Sequence, residues 1–313
     1  MTPGYDPRLS YLYQRRHALE LVPYKQTTGL LYSNETNASA NLRVAFELER
    51  SFASGADKAK IIVFNMTAEN RNAIIRGSTV RLRAGYRGNT GLLFTGYVRK
   101  VSTEQAGPDT TLTLECGDGE PQVTYAACRR SYVDSVKLAQ VLQDLAKDLN
   151  LTIGGQVAEV APGVIRGIPD QSFPPGLALE GTVASVLNLY LKSQYIDWAI
   201  QNNRLIILPK YATLYQSAIV LSKDSGMIGV PGFNEKYATF EALMNPALVP
   251  GAYVKVETKN KRVSGYYKLR TCKYAGDTHE APWSVKCEGE ALKEPLPFVP
   301  TAQGGDFAKA VVR

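Results

Sequence analysis

Apolar and polar residues alternate with a period of two through much of this chain. Leu42, Val44, Phe46 and Leu48 fall on one side, with Arg43, Ala45, Glu47 and Glu49 on the other, which predicts a strand with one wet face. Val80, Leu82 and Ala84 repeat the pattern against Arg81 and Arg83, and Leu112, Leu114 and Cys116 repeat it against Thr111, Thr113 and Glu115. Between them, Ile61, Ile62, Val63 and Phe64 form a continuous apolar run, as in a buried strand. That run feeds Thr67, whose hydroxyl suits a helix N-cap, and Glu69, whose charge complements the first turn. The short helix is expected to end at Gly77, and a glycine-spaced turn over residues 85–91 sends the chain back. Short strands, frequent turns and one small helix describe a barrel or sandwich.

Near Tyr125 the period changes. Leu138, Val141, Leu142, Leu145 and Leu149 make one stripe of an amphipathic helix, ended by Asn150. A connection containing Pro162, Pro169, Pro174 and Pro175 precedes a second helix from about Thr182, with Val183, Val186, Leu187, Tyr190 and Leu191 inward. Residues 196–200 and 204–208, separated by Gln201, Asn202 and Asn203, read as a β-hairpin. From Tyr211 the chain returns to strands. We therefore divide it into an N-terminal arm (1–30), a first β-barrel domain (31–124), a small α/β domain (125–208), a second β-barrel domain (209–293) and a Pro/Gly-containing tail (294–313). The fold class is α+β, mainly β.

The two β domains contain one pattern twice. Residues 77–120 open on Gly77, place Gly96 and Tyr97 at the start of another strand, and end a third at Cys116 before Gly119 and Glu120. Residues 251–290 open on Gly251, place Gly265 and Tyr266 likewise, and end at Cys287 before Gly289 and Glu290. This reads as an internal duplication in which Cys116 and Cys287 are equivalent, inward-facing and reduced.

Composition narrows the class without naming a function. At 313 residues, 44% hydrophobic and 21% charged, the chain can bury two or three cores without staples. The opening residues carry no basic-then-apolar run and no segment is long enough to cross a bilayer, so we expect a soluble, intracellularly made protein with no membrane role. The four cysteines lack the close spacing of zinc sites. The net charge of +7 is uneven: residues 1–100 hold 15 Lys and Arg against 7 Asp and Glu, which could mark a nucleic-acid surface. Because Arg81 and Arg83 alternate with apolar residues on a strand, a solvated outer face is the better reading.

Catalytic chemistry finds little support. His17 and His279 belong to no metal or nucleophile motif, and no Gly-Lys pair of a phosphate loop or Gly-x-Ser-x-Gly elbow occurs. Gly85, Gly88 and Gly91 lie between strands with no helix to bind an anion. Asp224, Ser225 and Gly226 suit a turn better than a nucleophile, and Asp118, Glu120, Glu288 and Glu290 suit strand ends better than a paired acid site. We assign no catalytic, cofactor-binding or metal-binding residue and expect no enzyme activity and no cofactor. Eighteen tyrosines, including Tyr86, Tyr97, Tyr253, Tyr266 and Tyr267, supply instead the amphipathic area that interfaces favour.

In this setting several short stretches carry a resemblance, and their order along the chain is the signal. They are residues 61–65, 77–86, 93–96 and 116–119, then Trp198 to Gln201, Leu221 and Ser222, residues 226–229, 243–246 and 249–251, and 274–277. Together they resemble the central baseplate hub proteins of contractile bacteriophage tails, the Mu-like hub family. The resemblance covers most of residues 40–290 and does not extend to the N-terminal arm or the Pro-rich tail.

That resemblance implies two tail-tube-like β-barrels per chain and a homotrimer whose six barrels form a pseudo-sixfold ring around the DNA exit channel. The protein would then be a structural symmetry adaptor in the virion, at the tail baseplate, made in the host cytoplasm and serving DNA ejection. Its implied partners are itself, the central spike protein, the tail tube or tube-initiator protein and other baseplate proteins. Contacts with the tape measure protein, and with passing DNA without sequence specificity, also fit. The alternatives from other classes are a tail-associated peptidoglycan hydrolase and a basic nucleic-acid-binding protein.

Overall fold

The computed structural model describes residues 14–35, 41–52, 57–118, 126–149, 152–153, 156–157, 171–192, 195–202, 204–210, 212–214, 217–234 and 236–292. The 294–313 tail, Glu120 and the first thirteen residues of the expected arm lie outside the described residues. The first strands are β1 (Arg15–Val22), β2 (Leu30–Ser33), β3 (Val44–Ser51), β4 (Asp57–Phe64), β5 (Thr79–Tyr86), β6 (Asn89–Ala106) and β7 (Asp109–Asp118). Short pieces follow: β8 (Ala127–Tyr132), β9 (Val136–Lys137), β10 (Thr152–Ile153), β11 (Gln156–Val157), β12 (Ser172–Phe173), β13 (Leu177–Thr182), β14 (Ile196–Gln201) and β15 (Arg204–Pro209). The last group is β16 (Ile219–Leu221), β17 (Met227–Asn234), β18 (Tyr237–Leu243), β19 (Tyr253–Val256), β20 (Gly265–Asp277) and β21 (Trp283–Leu292). Three α-helices, Ala68–Ala73, Leu138–Asp148 and Val183–Lys192, and one 3₁₀ turn, Lys223–Ser225, complete the described elements. The protein is mainly β.

β1 to β7 and β16 to β21 form one sheet, in the order β17-β18-β21-β20-β3-β4-β7-β6-β5-β1-β2, with β19 and β16 beside β20. Within it the order β3-β4-β7-β6-β5 is matched strand for strand by β17-β18-β21-β20-β19. The match extends to single hydrogen bonds. Gly77 N–H donates to Val98 O at 2.8 Å and Val98 N–H to Ser78 O at 2.9 Å, while Gly251 N–H donates to Leu269 O at 2.7 Å and Leu269 N–H to Ala252 O at 3.0 Å. Immediately beyond, the register shifts by one residue at Arg99 in β6 and at Arg270 in β20. Such bulges bend a strand and re-aim its edge.

This anchoring corrects part of the sequence alignment. Gly77 and Gly251 correspond, with φ of 90° and 88°. Gly96, however, stands opposite Val80, where the second copy has Tyr267 opposite Val254, so its counterpart is Tyr267 and not Gly265. Likewise Cys116 lies opposite Val98, and the residue opposite Leu269 is Gly289, two positions beyond Cys287. A slip of two keeps every side chain on its face, so both cysteines remain buried.

The two β segments are not separate bodies. β20 pairs with β19 through residues 265–268 and with β3 through residues 271–277. One core runs across this joint, holding Val44, Phe46 and Leu48 together with Phe240, Tyr274 and Trp283. Phe46 meets Trp283 edge-on at 5.6 Å, over Gly276, where any Cβ would lie 2.3 Å from the Phe46 ring. Residues 15–22, placed by sequence in the arm, instead form β1 along β5, with Leu19 opposite Leu82 and Leu21 opposite Val80.

Residues 127–209 gather around a second core that joins the stripe Leu138, Val141, Leu142, Leu145 and Leu149 to Leu187, Leu191, Trp198, Ile200 and Ile207. The Thr182 hydroxyl accepts from Ser185 N–H at 3.2 Å and so caps the second helix. The hairpin β14–β15 turns at Asn202, whose φ is 51°. A small third cluster, Phe52, Ala199 and Leu208, ties that hairpin to the main sheet.

Gly251→Ala places a Cβ in the left-handed region, 2.5 Å from the Phe52 ring. We expect a loss of roughly 1–3 kcal/mol, read from urea unfolding. Unchanged stability would show that this turn does not need glycine.

Candidate functional site

Among the described residues, a strongly polar interior lies at the seam where the hairpin β14–β15 meets the large sheet. Arg50, at the end of β3, and Asp57, at the start of β4, are 1% and 2% exposed and paired at 2.9 Å. Arg50 also donates to Leu93 O and to Gln201 Oε1, both at 3.2 Å, and Gln201 Nε2 donates to Pro250 O at 3.3 Å. One guanidinium therefore links β3, β4 and β6 to the hairpin. Burial opposes its charge, but Asp57 more than offsets this and holds it protonated. Asp118, at the end of β7, accepts from Asn202 N–H at 2.5 Å on the same hairpin.

Lys268 forms the other half of the seam. It is fully buried, donates to Pro209 O and Lys210 O at 3.0 Å, and lies 3.5 Å from Asp197 and 5.3 Å from the Phe52 ring centre. Burial lowers its amine to about 8, with Asp197 opposing and Arg270 assisting. Arg270, the bulge residue of β20, pairs with Asp197 at 2.5 Å and reaches Glu290 at 3.9 Å. The arrangement fixes the angle between hairpin and sheet; it offers no reactive group to solvent.

The residues weighed for chemistry are dispersed. His17 is 1% exposed and burial, helped by His279, lowers its imidazole to about 4, so it is neutral at ordinary pH. Ser222 and Ser225 cap each other around a single 3₁₀ turn closed by Gly226 at φ 96°, which is turn chemistry. Asp118 is sealed in the seam, and Glu290 faces Lys210 at 3.8 Å and Arg270, so these strand-end carboxylates form no acid pair. Gly91 is a packing glycine, since a Cβ there would touch Pro246 at 2.7 Å. All four cysteines are buried and free, and burial pushes the Cys116 thiol up to about 12. Part of the basic surface is matched, with Arg81 on Glu20 at 3.0 Å and Arg43 on Asp277 at 2.8 Å and Glu280 at 3.0 Å. Among the described residues no cluster of His, Cys, Asp or Glu is arranged to hold a metal, and no helix is long and apolar enough to cross a membrane.

Exposed apolar side chains lie elsewhere, among them two groups. Ile228, Val230 and Phe233 on the edge strand β17 are 39%, 85% and 44% exposed. Val133, Leu189 and Tyr195 project from the 127–209 region.

Residues 27–289 match the model of a protein family described as baseplate hub gp41. No curated protein matches the chain. Among solved structures, the fold is similar to that of a tail protein from Neisseria meningitidis MC58, at 9% identity and a TM-score of 0.57, covering 89% of this chain and 97% of that one. It is similar to the 43 kDa tail protein of prophage MuSo2 from Shewanella oneidensis, at 9% identity and 0.56, covering 87% and 98%. It is also similar to an Escherichia coli component of the type VI secretion system, described as structurally like the T4 bacteriophage tail proteins gp27 and gp5. That match has 9% identity and a TM-score of 0.55, covering 86% and 78%.

Two substitutions probe the seam. Arg50→Met leaves Asp57 buried without its cation, and should cost about 3–5 kcal/mol in urea unfolding, with part recovered by adding Asp57→Leu. No cost for the single change would show that the pair is dispensable. For Lys268, the folded chain releases a proton near pH 8 that the unfolded chain holds to about 10.5, so stability rises with pH across that window. The Tm of the unaltered protein relative to Lys268→Met should therefore increase from pH 8 to 10; a constant difference would contradict the burial of a titrating amine.

Proposed function

The chain belongs to the baseplate hub gp41 family, and from that premise we propose that it acts as a trimeric symmetry adaptor, joining the sixfold tail tube to the threefold central spike around the DNA channel. A bacteriophage tail baseplate is the setting that family membership gives it. The observation that carries the finer reading is the repeated strand order, β3-β4-β7-β6-β5 and β17-β18-β21-β20-β19, joined side by side through β20 and β3.

A contact repeats with the symmetry of the ring that contains it, so threefold and sixfold partners cannot share one interface on a single kind of module. One chain with two like modules resolves the mismatch. Three chains would present six similar β modules to the tube, while the region 127–209, present once per chain, follows threefold order towards the spike. In this division residues 31–124 and 209–293 are the tube-like modules and 125–208 the intervening domain. Exposed Val133, Leu189 and Tyr195 suit that domain to a protein partner. The part is structural and needs no catalytic group, cofactor or metal; tape measure protein and DNA would pass without sequence readout.

The experiment is the solution mass of the purified chain by light scattering, alone and with a trimeric spike. We expect three copies per particle. A stable dimer or tetramer under both conditions would overturn the reading, and cell-wall degradation in zymograms would replace it with a hydrolase.

A further inference from the structure

The joint inside the chain is a template for a joint between chains. Past the bulge at Arg270, β20 outruns β19, and the edge so freed at Thr271 to Asp277 is taken by β3. β6 is the counterpart of β20. Past its own bulge at Arg99 it outruns β5, and along residues 100–106 that edge is paired by no strand among the described residues. β17 is the counterpart of β3, and its outer edge ends the sheet. Each chain therefore carries one open copy of both halves of a joint that it has already made once.

We propose that β17 of one copy pairs antiparallel with the free edge of β6 of the next, in the register of the β3–β20 joint. This rests on the trimeric reading above and supplies the surface that holds the ring together. Phe233 stands opposite Ala238, as Leu48 stands opposite Ala59, and those two alanines face the corresponding positions Gly289 and Cys116. Thr103 stands opposite Leu112, as Tyr274 stands opposite Val285. Since Leu48 pairs with Tyr274, Phe233 falls opposite Thr103 and Asn234 opposite Ser102.

The exposure pattern agrees. Leu48, covered by β20, is 2% exposed, whereas Phe233 in the corresponding place is 44% exposed beside Val230 at 85%. Pro231 and the register shift between Ile228 and Gly232 blunt part of the β17 edge, but past them the apolar edge at Phe233 is bare, and pairing covers it. The other open edges do not fit as well: β2 has no counterpart in the second module, where β16 runs parallel to β19. Because the two edges differ, the contact is head-to-tail and generates a ring when its rotation closes.

The test uses the full chain with Thr103→Cys and Phe233→Cys, both at exposed positions, and a short bis-maleimide; the four native thiols are buried. The double variant should yield covalent trimer, a mixture of the single variants only dimer, and each single variant alone none. A trimer by mass without cross-linking would overturn the edge pairing and leave the trimeric reading standing. Cross-linked ladders beyond three would support the pairing and overturn threefold closure, and a monomer without cross-links would overturn both. In the unaltered chain, amide exchange along Met227–Asn234 should slow by about tenfold or more on assembly; unchanged exchange would also overturn the pairing.

Discussion

One strand serving two partners is the constraint on which this structure depends. β20 hydrogen-bonds to β19 with its first residues and to β3 with its last, and the change of partner occurs at the bulge around Arg270. Without that bulge the strand would run straight, β19 and β3 would compete for one edge, and the two β modules would face each other with unsatisfied amides. With it, the sheet continues through the joint and one hydrophobic core can form beneath it.

The same bulge organises the polar seam. Arg270 points to Asp197 and Glu290, two positions after Lys268 has been buried under the hairpin β14–β15. Arg50 reaches the same hairpin from β3 through Gln201. Buried polar groups cost stability when a partner is missing, so the mutual pairing of Arg50, Asp57 and Gln201 and the bonds of Lys268 hold one relative orientation of hairpin and sheet. The proposed role between a threefold and a sixfold partner calls for such a fixed angle, and in that reading the seam supplies it.

Much of the local structure was legible in the sequence. The alternation at Val44, Phe46 and Leu48 became a buried face, the leucine stripe from Leu138 became a packed helix, and Gly77 and Gly251 occupy the left-handed turns that a repeat required. The first helix stops at Ala73, earlier than Gly77, because Ile74 turns extended to bury its side chain. β1 was missed because His17 occupies an inward position that an apolar count reads as polar. The two-residue slip at Gly96 and Cys116 arose because matching residue types were aligned, whereas hydrogen-bond register fixes correspondence. The joint and the seam were invisible for a simpler reason: Arg50, Asp57, Gln201 and Lys268 meet only in three dimensions, and periodicity records which face is buried but not against what.

The central claim is that the two modules are equivalent and alternate around one axis. Electron cryomicroscopy of the assembled particle, viewed down that axis, tests it most directly. The account predicts a ring of six similar β densities, alternately from residues 31–124 and 209–293, with three copies of the 127–209 region on one face. Two rings of three stacked along the axis, each built from a single type of module, would contradict it.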